Sequence, residues 1–483
     1  MLASIKNFSS KNTILKNFSV LTLSSALSQF LFIFTSIKIA RTLNPELFGT
    51  YNLLQLHVSI FTVIASFGIR QIIIRSIARD KSTIKKVFSI ALIIRSLGLF
   101  FSITLFVAYF FFTGKYDAIF FVLSLFCILS TSFFDLFESV AFGLEKMEFS
   151  GIINFFNSLC WLTTILIIPN SMLSLHVIFG LFVFFSSLKT IIYFFSIHKS
   201  DYIKGFTLFD TPKIDIGIFS KECFPYYYLA LFTLLSNQIP LLFLEYRSGV
   251  AQVGFFNIAS KVLMPINLIL TTTLAAIFPN LSRLFVTDYK QFIRNVKLIF
   301  TLISIFGIAG AFGVTLFRQE VILLLYGEKY RTTSLVLGFQ IWYVAIYSGV
   351  CLIGTILGAI NKQKQLSYLS IVCTIIQVPI LWYGAKFGAQ YLSAAFLVAT
   401  TINFLIHVYV IHTYLKSSIQ LSFYFKIISF YIIGYLISLL TPVGLGFSYK
   451  VIIFLLIALS AAFFIFNKYK TEIMTLFNRK KPQ

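Results

Sequence analysis

A chain of 483 residues that is 58% apolar and 18% aromatic, with only 11% charged residues, has too little polar surface to cover a water-soluble core. That balance excludes a soluble enzyme and makes a bilayer the solvent for most side chains. The formal net charge of +23 would suit a nucleic-acid binder only if it were gathered in a soluble domain, and no stretch of the chain is long and polar enough to form one.

A membrane span needs roughly 20 mostly apolar residues. On that criterion the chain predicts fourteen, the first six near 16–40, 48–69, 87–112, 118–142, 151–169 and 173–197. A polar stretch from His198 to Lys221 follows, and then eight more near 223–245, 252–279, 296–317, 333–360, 366–385, 388–413, 424–441 and 449–467. The expected fold is all-α, a polytopic membrane protein.

Short cytoplasmic loops carry an excess of Lys and Arg. With the N-terminus inside, the inside segments hold 27 of the 39 basic residues, the outside loops hold 8, and Lys38, Arg95, Lys189 and Lys261 fall within apolar spans. The pattern predicts cytoplasmic N- and C-termini. It also accounts for the net charge, because the basic face lies against anionic headgroups, and so no nucleic acid is expected. The first apolar stretch is too long for a cleaved signal peptide and is expected to remain as a span.

The five cysteines lie in or at the edges of spans with no CxxC spacing, which suggests neither a disulfide framework nor a metal cluster. The five histidines show no ligand spacing either, and no cofactor is expected. Walker A, GxGxxG, HExxH and GxSxG patterns are absent, and every connection is short. A membrane-bound polysaccharide polymerase, one rival reading, would be marked by a large outside loop. The longest one here, Arg318 to Thr332, is short.

Transporters often carry internal repeats. Phe48-Gly49-Thr50-Tyr51-Asn52-Leu53 matches Val253-Gly254-Phe255-Phe256-Asn257-Ile258 at an offset of 205 residues. Phe142-Gly143 followed by Lys146 matches Leu357-Gly358 followed by Lys362 at a similar offset. The two echoes divide the chain into an N-terminal lobe, 1–198, a linker, 199–222, a C-terminal lobe, 223–415, and a segment 416–483 holding the last two spans and a basic tail.

The run Ile39-Ala40-Arg41-Thr42-Leu43-Asn44-Pro45-Glu46-Leu47-Phe48-Gly49-Thr50-Tyr51, then Ser66-Phe67-Gly68-Ile69 with Arg75 and Ala78 beyond, and Gly254-Phe255-Phe256-Asn257 with Pro279, resemble the polysaccharide-export branch of the MOP flippase superfamily, in particular Wzx-type O-antigen flippases. The resemblance spans essentially the whole chain. It implies two six-helix lobes around a central cavity, with two extra C-terminal helices. It further implies alternating access that moves an undecaprenyl-diphosphate-linked oligosaccharide from the inner to the outer leaflet of the bacterial cytoplasmic membrane. The implied partners are that lipid-linked oligosaccharide and the membrane lipids, with a polysaccharide polymerase, a chain-length regulator and a coupling proton or sodium ion as further candidates.

Such a substrate wants cations for its diphosphate and hydroxyl or amide partners for its sugars. Ser24, Ser28, Thr35 and Lys38 share one face of the first span, and Thr233 and Asn237 lie on a polar stripe of the seventh, which carries Pro240. Lys261 lies deep in the eighth span, one turn from Asn257, and is the first candidate for an anionic contact. Arg70 and Arg75, at the inside end of the second span, are candidates to receive a diphosphate, with ordinary positive-inside topology as the competing explanation. Arg95 and Asp135, with Glu138 a turn on, are expected to form an ion pair between neighbouring helices. Charges embedded in spans usually face the bundle interior, and here they lean basic. That favours an anionic substrate over the cations of MATE exporters. A peptidoglycan-precursor flippase is a nearer rival, because it shares the fold, the span count and the diphosphate carrier.

Overall fold

A computed structural model describes residues 2–198, 216–415, 419–440, 446–457 and 459–460. Among them there is no strand. Among the described residues twelve helices are long and apolar enough to cross a membrane, and two shorter apolar helices, Ser422–Ser438 and Phe447–Ile457, occupy the last two predicted span positions. The protein is a multi-pass membrane protein. Chain contacts separate two compact units, Met1–Leu242 and Phe243–Gln483. The expected linker lies mostly outside the described residues, and so does most of the expected basic tail.

Unit 1 contains α1 (Leu2–Thr42), α2 (Pro45–Ser66), α3 (Ile69–Arg79), α4 (Ile84–Thr113), α5 (Ala118–Gly143), α6 (Met147–Ile167), α7 (Leu175–His198) and most of α8 (Ile216–Ser248). Asn44 caps α2, accepting from the Leu47 N–H at 2.8 Å, with Pro45 in the first turn. The central helix is α5, which packs against α2, α3, α4, α6 and α7.

The second span ends earlier than its hydropathy suggests. Phe67 (φ 47°) and Gly68 (φ 69°) are both left-handed and turn the chain into α3. The basic residues beyond this point, expected in a loop, are instead helical. Ile69, Ile72, Ile73 and Ile77 of α3 are buried, and that apolar stripe docks the helix on α5 and α4. Gly143 permits the approach, since a Cβ there would sit 2.8 Å from the Ile77 Cβ.

Unit 2 contains α9 (Val250–Thr287), α10 (Tyr289–Leu316), α11 (Arg318–Tyr326), α12 (Thr333–Ala359), α13 (Gln363–Ala385), α14 (Ala389–Leu415), α15 (Leu421–Leu440) and α16 (Phe447–Ile457). Its central helix is α12, packed against α9, α10, α11, α13 and α14. The outside loop expected from Arg318 to Thr332 is largely helical, because Ile322 and Tyr326 of α11 and Tyr330 beyond it find buried positions. The extra helices join this unit. Tyr431 of α15 donates to the Ala345 carbonyl at 3.0 Å, and Lys450 of α16 donates to Glu320 Oε1 of α11 at 2.6 Å.

Both sequence echoes have structural counterparts. Asn52 and Asn257 each lie seven residues into their helix, and each donates its side-chain amide to the carbonyl four residues back, Phe48 O at 2.6 Å and Val253 O at 3.0 Å. The turns after α5 and α12 are the same Schellman cap. Lys146 N donates to Ala141 O at 2.9 Å and Glu145 N to Phe142 O at 3.0 Å. In unit 2, Lys362 N donates to Leu357 O at 2.8 Å and Asn361 N to Gly358 O at 3.2 Å. Glu145 (φ 62°) and Asn361 (φ 59°) hold the left-handed position.

Candidate functional site

The helix α3 brings Arg70 against the carboxylates of α5. Its Nη1 lies 2.8 Å from Asp135 Oδ1 and its Nη2 2.9 Å from Glu138 Oε2. From α4, Arg95 places Nη2 2.7 Å from Asp135 Oδ2 and Nη1 3.2 Å from the Ser132 hydroxyl. Glu138 also accepts from the Ser150 hydroxyl of α6 at 2.5 Å. Two guanidinium groups thus balance two carboxylates across α3, α4, α5 and α6, and the Arg95 side chain is fully buried. A fifth charge comes from α7, where the Lys189 ammonium sits 3.7 Å from the centroid of the Phe134 ring.

Arg75 pairs with Glu222 at the start of α8. The same end of α8 lies against the α2–α3 corner. Phe67 and Tyr227 stack with centroids 4.9 Å apart, and the Tyr227 hydroxyl donates to the Ile64 carbonyl at 3.3 Å. Arg70 and Arg75, considered above as receivers of a diphosphate, therefore each hold a carboxylate. The sequence could not show this, because Asp135, Glu138 and Glu222 lie 65 or more residues away along the chain.

The α1 stripe is turned largely into the helix itself. Ser28 donates to Ser24 O at 2.7 Å and Thr35 to Leu31 O at 2.9 Å, and Thr35 is buried. Ser24 faces Gly151 of α6, where a Cβ would meet the Ser24 Cβ at 3.0 Å. Lys38 donates to Asn170 Oδ1 at 2.7 Å, tying the end of α1 to the α6–α7 connection. Further along, Thr233 and Asn237 of α8 are exposed, one turn apart, with the Asn237 amide donating to the Thr233 carbonyl at 2.9 Å. Exposed amide and hydroxyl groups within a span suit a polar cavity better than lipid.

In unit 2, Lys261 is 7% exposed, packed in the interior with Ile258, Ala259 and Leu263 of the same helix also buried. Its neighbour Ser260 donates to Gln340 Oε1 at 3.2 Å. The Gln340 amide donates to Phe256 O at 3.3 Å and to the Ser393 hydroxyl at 3.4 Å. A polar seam through α9, α12 and α14 thus begins beside Lys261. Gln340 went unnoticed in the sequence because a lone Gln in an apolar run gives no periodic signal.

A further cluster of polar side chains joins α2, α4 and the turn before α5 in unit 1. His57 Nε2 lies 2.8 Å from the Tyr109 hydroxyl and Nδ1 3.4 Å from the Tyr116 hydroxyl. The next residue, Asp117, caps α5 and pairs with His176 at 2.6 Å.

Comparison with known proteins gives this arrangement its context. A family model described as "Polysaccharide biosynthesis protein" matches residues 14–285, more than half of the chain. A Shigella dysenteriae protein provisionally described as an O-antigen transporter is 24% identical over 365 residues, 72% of this chain and 88% of that one. Among solved structures, the lipid II flippase MurJ superposes with a TM-score of 0.71 at 16% identity, over 94% of this chain and 99% of that one. A multidrug-resistance MATE transporter of the MOP superfamily superposes with a TM-score of 0.59 at 16% identity, over 83% and 99%. Sequence and fold together make this chain a member of the polysaccharide biosynthesis protein family, built on the fold of the MOP-superfamily flippases.

Proposed function

We propose that the protein is a flippase, without covalent chemistry, for undecaprenyl-diphosphate-linked oligosaccharide repeat units, moving them from the inner to the outer leaflet of the bacterial cytoplasmic membrane. The observation that carries this reading is the family match over residues 14–285 on a chain composed almost entirely of spans, with an O-antigen transporter description on a relative that aligns with 72% of it. The basic lean of the embedded charges supports an anionic substrate. Lys189 and Lys261 add basic side chains to the interiors of unit 1 and unit 2. Exposed Thr233 and Asn237 are suited to sugar hydroxyls. Cytoplasmic N- and C-termini follow from the distribution of Lys and Arg.

The test is complementation of a bacterium that makes a surface polysaccharide but lacks its own repeat-unit flippase. Restored surface polymer with depleted inner-leaflet intermediate is the expected result. Failure across several repeat-unit chemistries, despite correct insertion, would refute it. The likeness to a lipid II flippase over 94% of the chain supports a second reading, peptidoglycan-precursor export, and growth rescue of a strain depleted of its lipid II flippase distinguishes the two.

A further inference from the structure

Unit 1 holds an open cavity of about 440 Å³ lined by α3, α4 and α8, whose lining does not include Arg70, Arg95, Asp135 or Glu138. One wall is apolar, formed by Ile72, Val87, Ile90 and Phe219, and the rim is polar and charged, formed by Ser76, Arg79, Asp80, Thr83, Lys86 and Glu222. Of the two acids on the rim only Glu222 is ion-paired, and Asp80 keeps its charge, which leaves the rim with one net positive charge. Glu222 is paired with Arg75, and the Asp80 carboxylate accepts from the Ser82 N–H at 2.9 Å. Arg79 and Lys86 are exposed and have no carboxylate within salt-bridge distance among the described residues. Among the described residues the rim therefore presents two cations without an ion-paired carboxylate beside an apolar wall.

The position fits a membrane surface. The spanning stretch that includes α4 begins at Lys81, so Arg79 and Lys86 bracket the level at which headgroups meet hydrocarbon, where basic side chains attract anionic lipid. The volume suits one phosphodiester with the first carbons of its tails.

We infer that this cavity binds the phosphodiester headgroup of an anionic membrane phospholipid, with Arg79 and Lys86 as its ligands and Val87, Ile90 and Phe219 against the start of an acyl chain. The site goes beyond the transport reading and does not depend on it. A lipid held here would add to the contacts that already fasten the base of α8, among them the Arg75–Glu222 pair, the Phe67–Tyr227 stack and the Tyr227–Ile64 hydrogen bond.

The experiment is native mass spectrometry of the full chain in detergent, titrated with phosphatidylglycerol, then with phosphatidylethanolamine and with undecaprenyl diphosphate. Charge-assisted contacts of this kind are each worth about 1.5–3 kcal/mol, or about tenfold or more in affinity. R79Q/K86Q is expected to weaken phosphatidylglycerol binding at least tenfold, whereas K290Q/R294Q, which removes the same charge from α10, leaves it unchanged. Val87→Trp, which fills the cavity without altering charge, is expected to weaken it as well. Equal binding by wild type and R79Q/K86Q would overturn the inference, and so would a site that takes undecaprenyl diphosphate but not phosphatidylglycerol. Complementation of the flippase-deficient strain is scored separately. Phosphatidylglycerol binding that falls in R79Q/K86Q while the wild-type protein fails to complement refutes the transport reading alone, and complementation by a wild-type protein whose lipid binding R79Q/K86Q does not change refutes the lipid site alone.

Discussion

Arg70 and Arg95 grip a single carboxylate from two different helices, Arg70 at 2.8 Å from one oxygen of Asp135 and Arg95 at 2.7 Å from the other. Breaking a buried pair by removing one partner costs about 3–5 kcal/mol, because the remaining charge is left uncompensated. Asp135→Asn leaves two guanidinium groups without their shared anion. Glu138→Gln leaves Arg70 still bound to Asp135. The expected outcome is a marked fall in membrane abundance and in the thermal midpoint of the solubilised protein for D135N, and a smaller fall for E138Q. A D135N protein of normal abundance and midpoint that no longer supports translocation would make the network part of transport rather than of the scaffold.

The α2–α3 corner offers a comparison between two glycines. Gly68 and Gly114 both hold positive φ, 69° and 57°, where alanine costs about 1 kcal/mol. A Cβ on Gly114 would meet nothing within 4 Å, whereas one on Gly68 would sit 2.4 Å from the Tyr227 backbone N and 2.6 Å from the Cys223 carbonyl. Backbone atoms of α8 cannot move aside as a flexible side chain would. Gly114→Ala is expected to lower the thermal midpoint slightly, and Gly68→Ala to lower it several-fold further. Equal effects would mean that α8 does not press on this corner.

Asp117 sets a pH dependence at the connection between α4 and α5. Burial alone would raise its carboxyl, but the Phe120 N–H it caps and the His176 side chain outweigh that and hold it below the usual carboxylate range. A depressed folded-state value means stability that is present above the ordinary carboxylate range and is lost as pH falls through the folded value. Thermal midpoints measured from neutral toward strongly acid pH should therefore fall less steeply in Asp117→Asn, which keeps a capping side chain but does not titrate. Asp117→Ala removes the cap and should lose about 1 kcal/mol at neutral pH.

Much of the fold was readable because its signals are local. Apolar run length placed the spans, and the glycine-aromatic-asparagine echo placed equivalent helix starts at α2 and α9. The Gly143 and Gly358 echo marked two turns that close with the same backbone hydrogen bonds. What escaped was non-local. The helical character of α3 was hidden because Arg70, Arg75 and Arg79 make it look like a basic loop, and only the packing of its isoleucines on α5 overrides that. The pairing of Arg70 with Asp135 and of Arg75 with Glu222, and the seam through Gln340 and Ser393, depend on which helix faces are turned together. No single span records that information.

The repeat supplies its own control for the leading site candidate. Asn52 and Asn257 make the same bond to the carbonyl four residues back, so each loses about 0.5–1.5 kcal/mol of local stabilisation on substitution by Ala. Only Asn257 has a lysine one turn away, Lys261, in a helix that continues into the Gln340 seam. If Lys261 contacts an anionic substrate, Lys261→Ala should lower translocation by about tenfold or more while abundance stays near wild type. Lys261→Met, which keeps the stem and loses the charge, should behave like Lys261→Ala. Asn257→Ala should then impair transport beyond its stability cost, whereas Asn52→Ala should not. Full translocation by Lys261→Met, or matching losses from Asn52→Ala and Asn257→Ala, would assign both residues to helix packing and leave the exposed Thr233–Asn237 pair of α8 as the next surface to test.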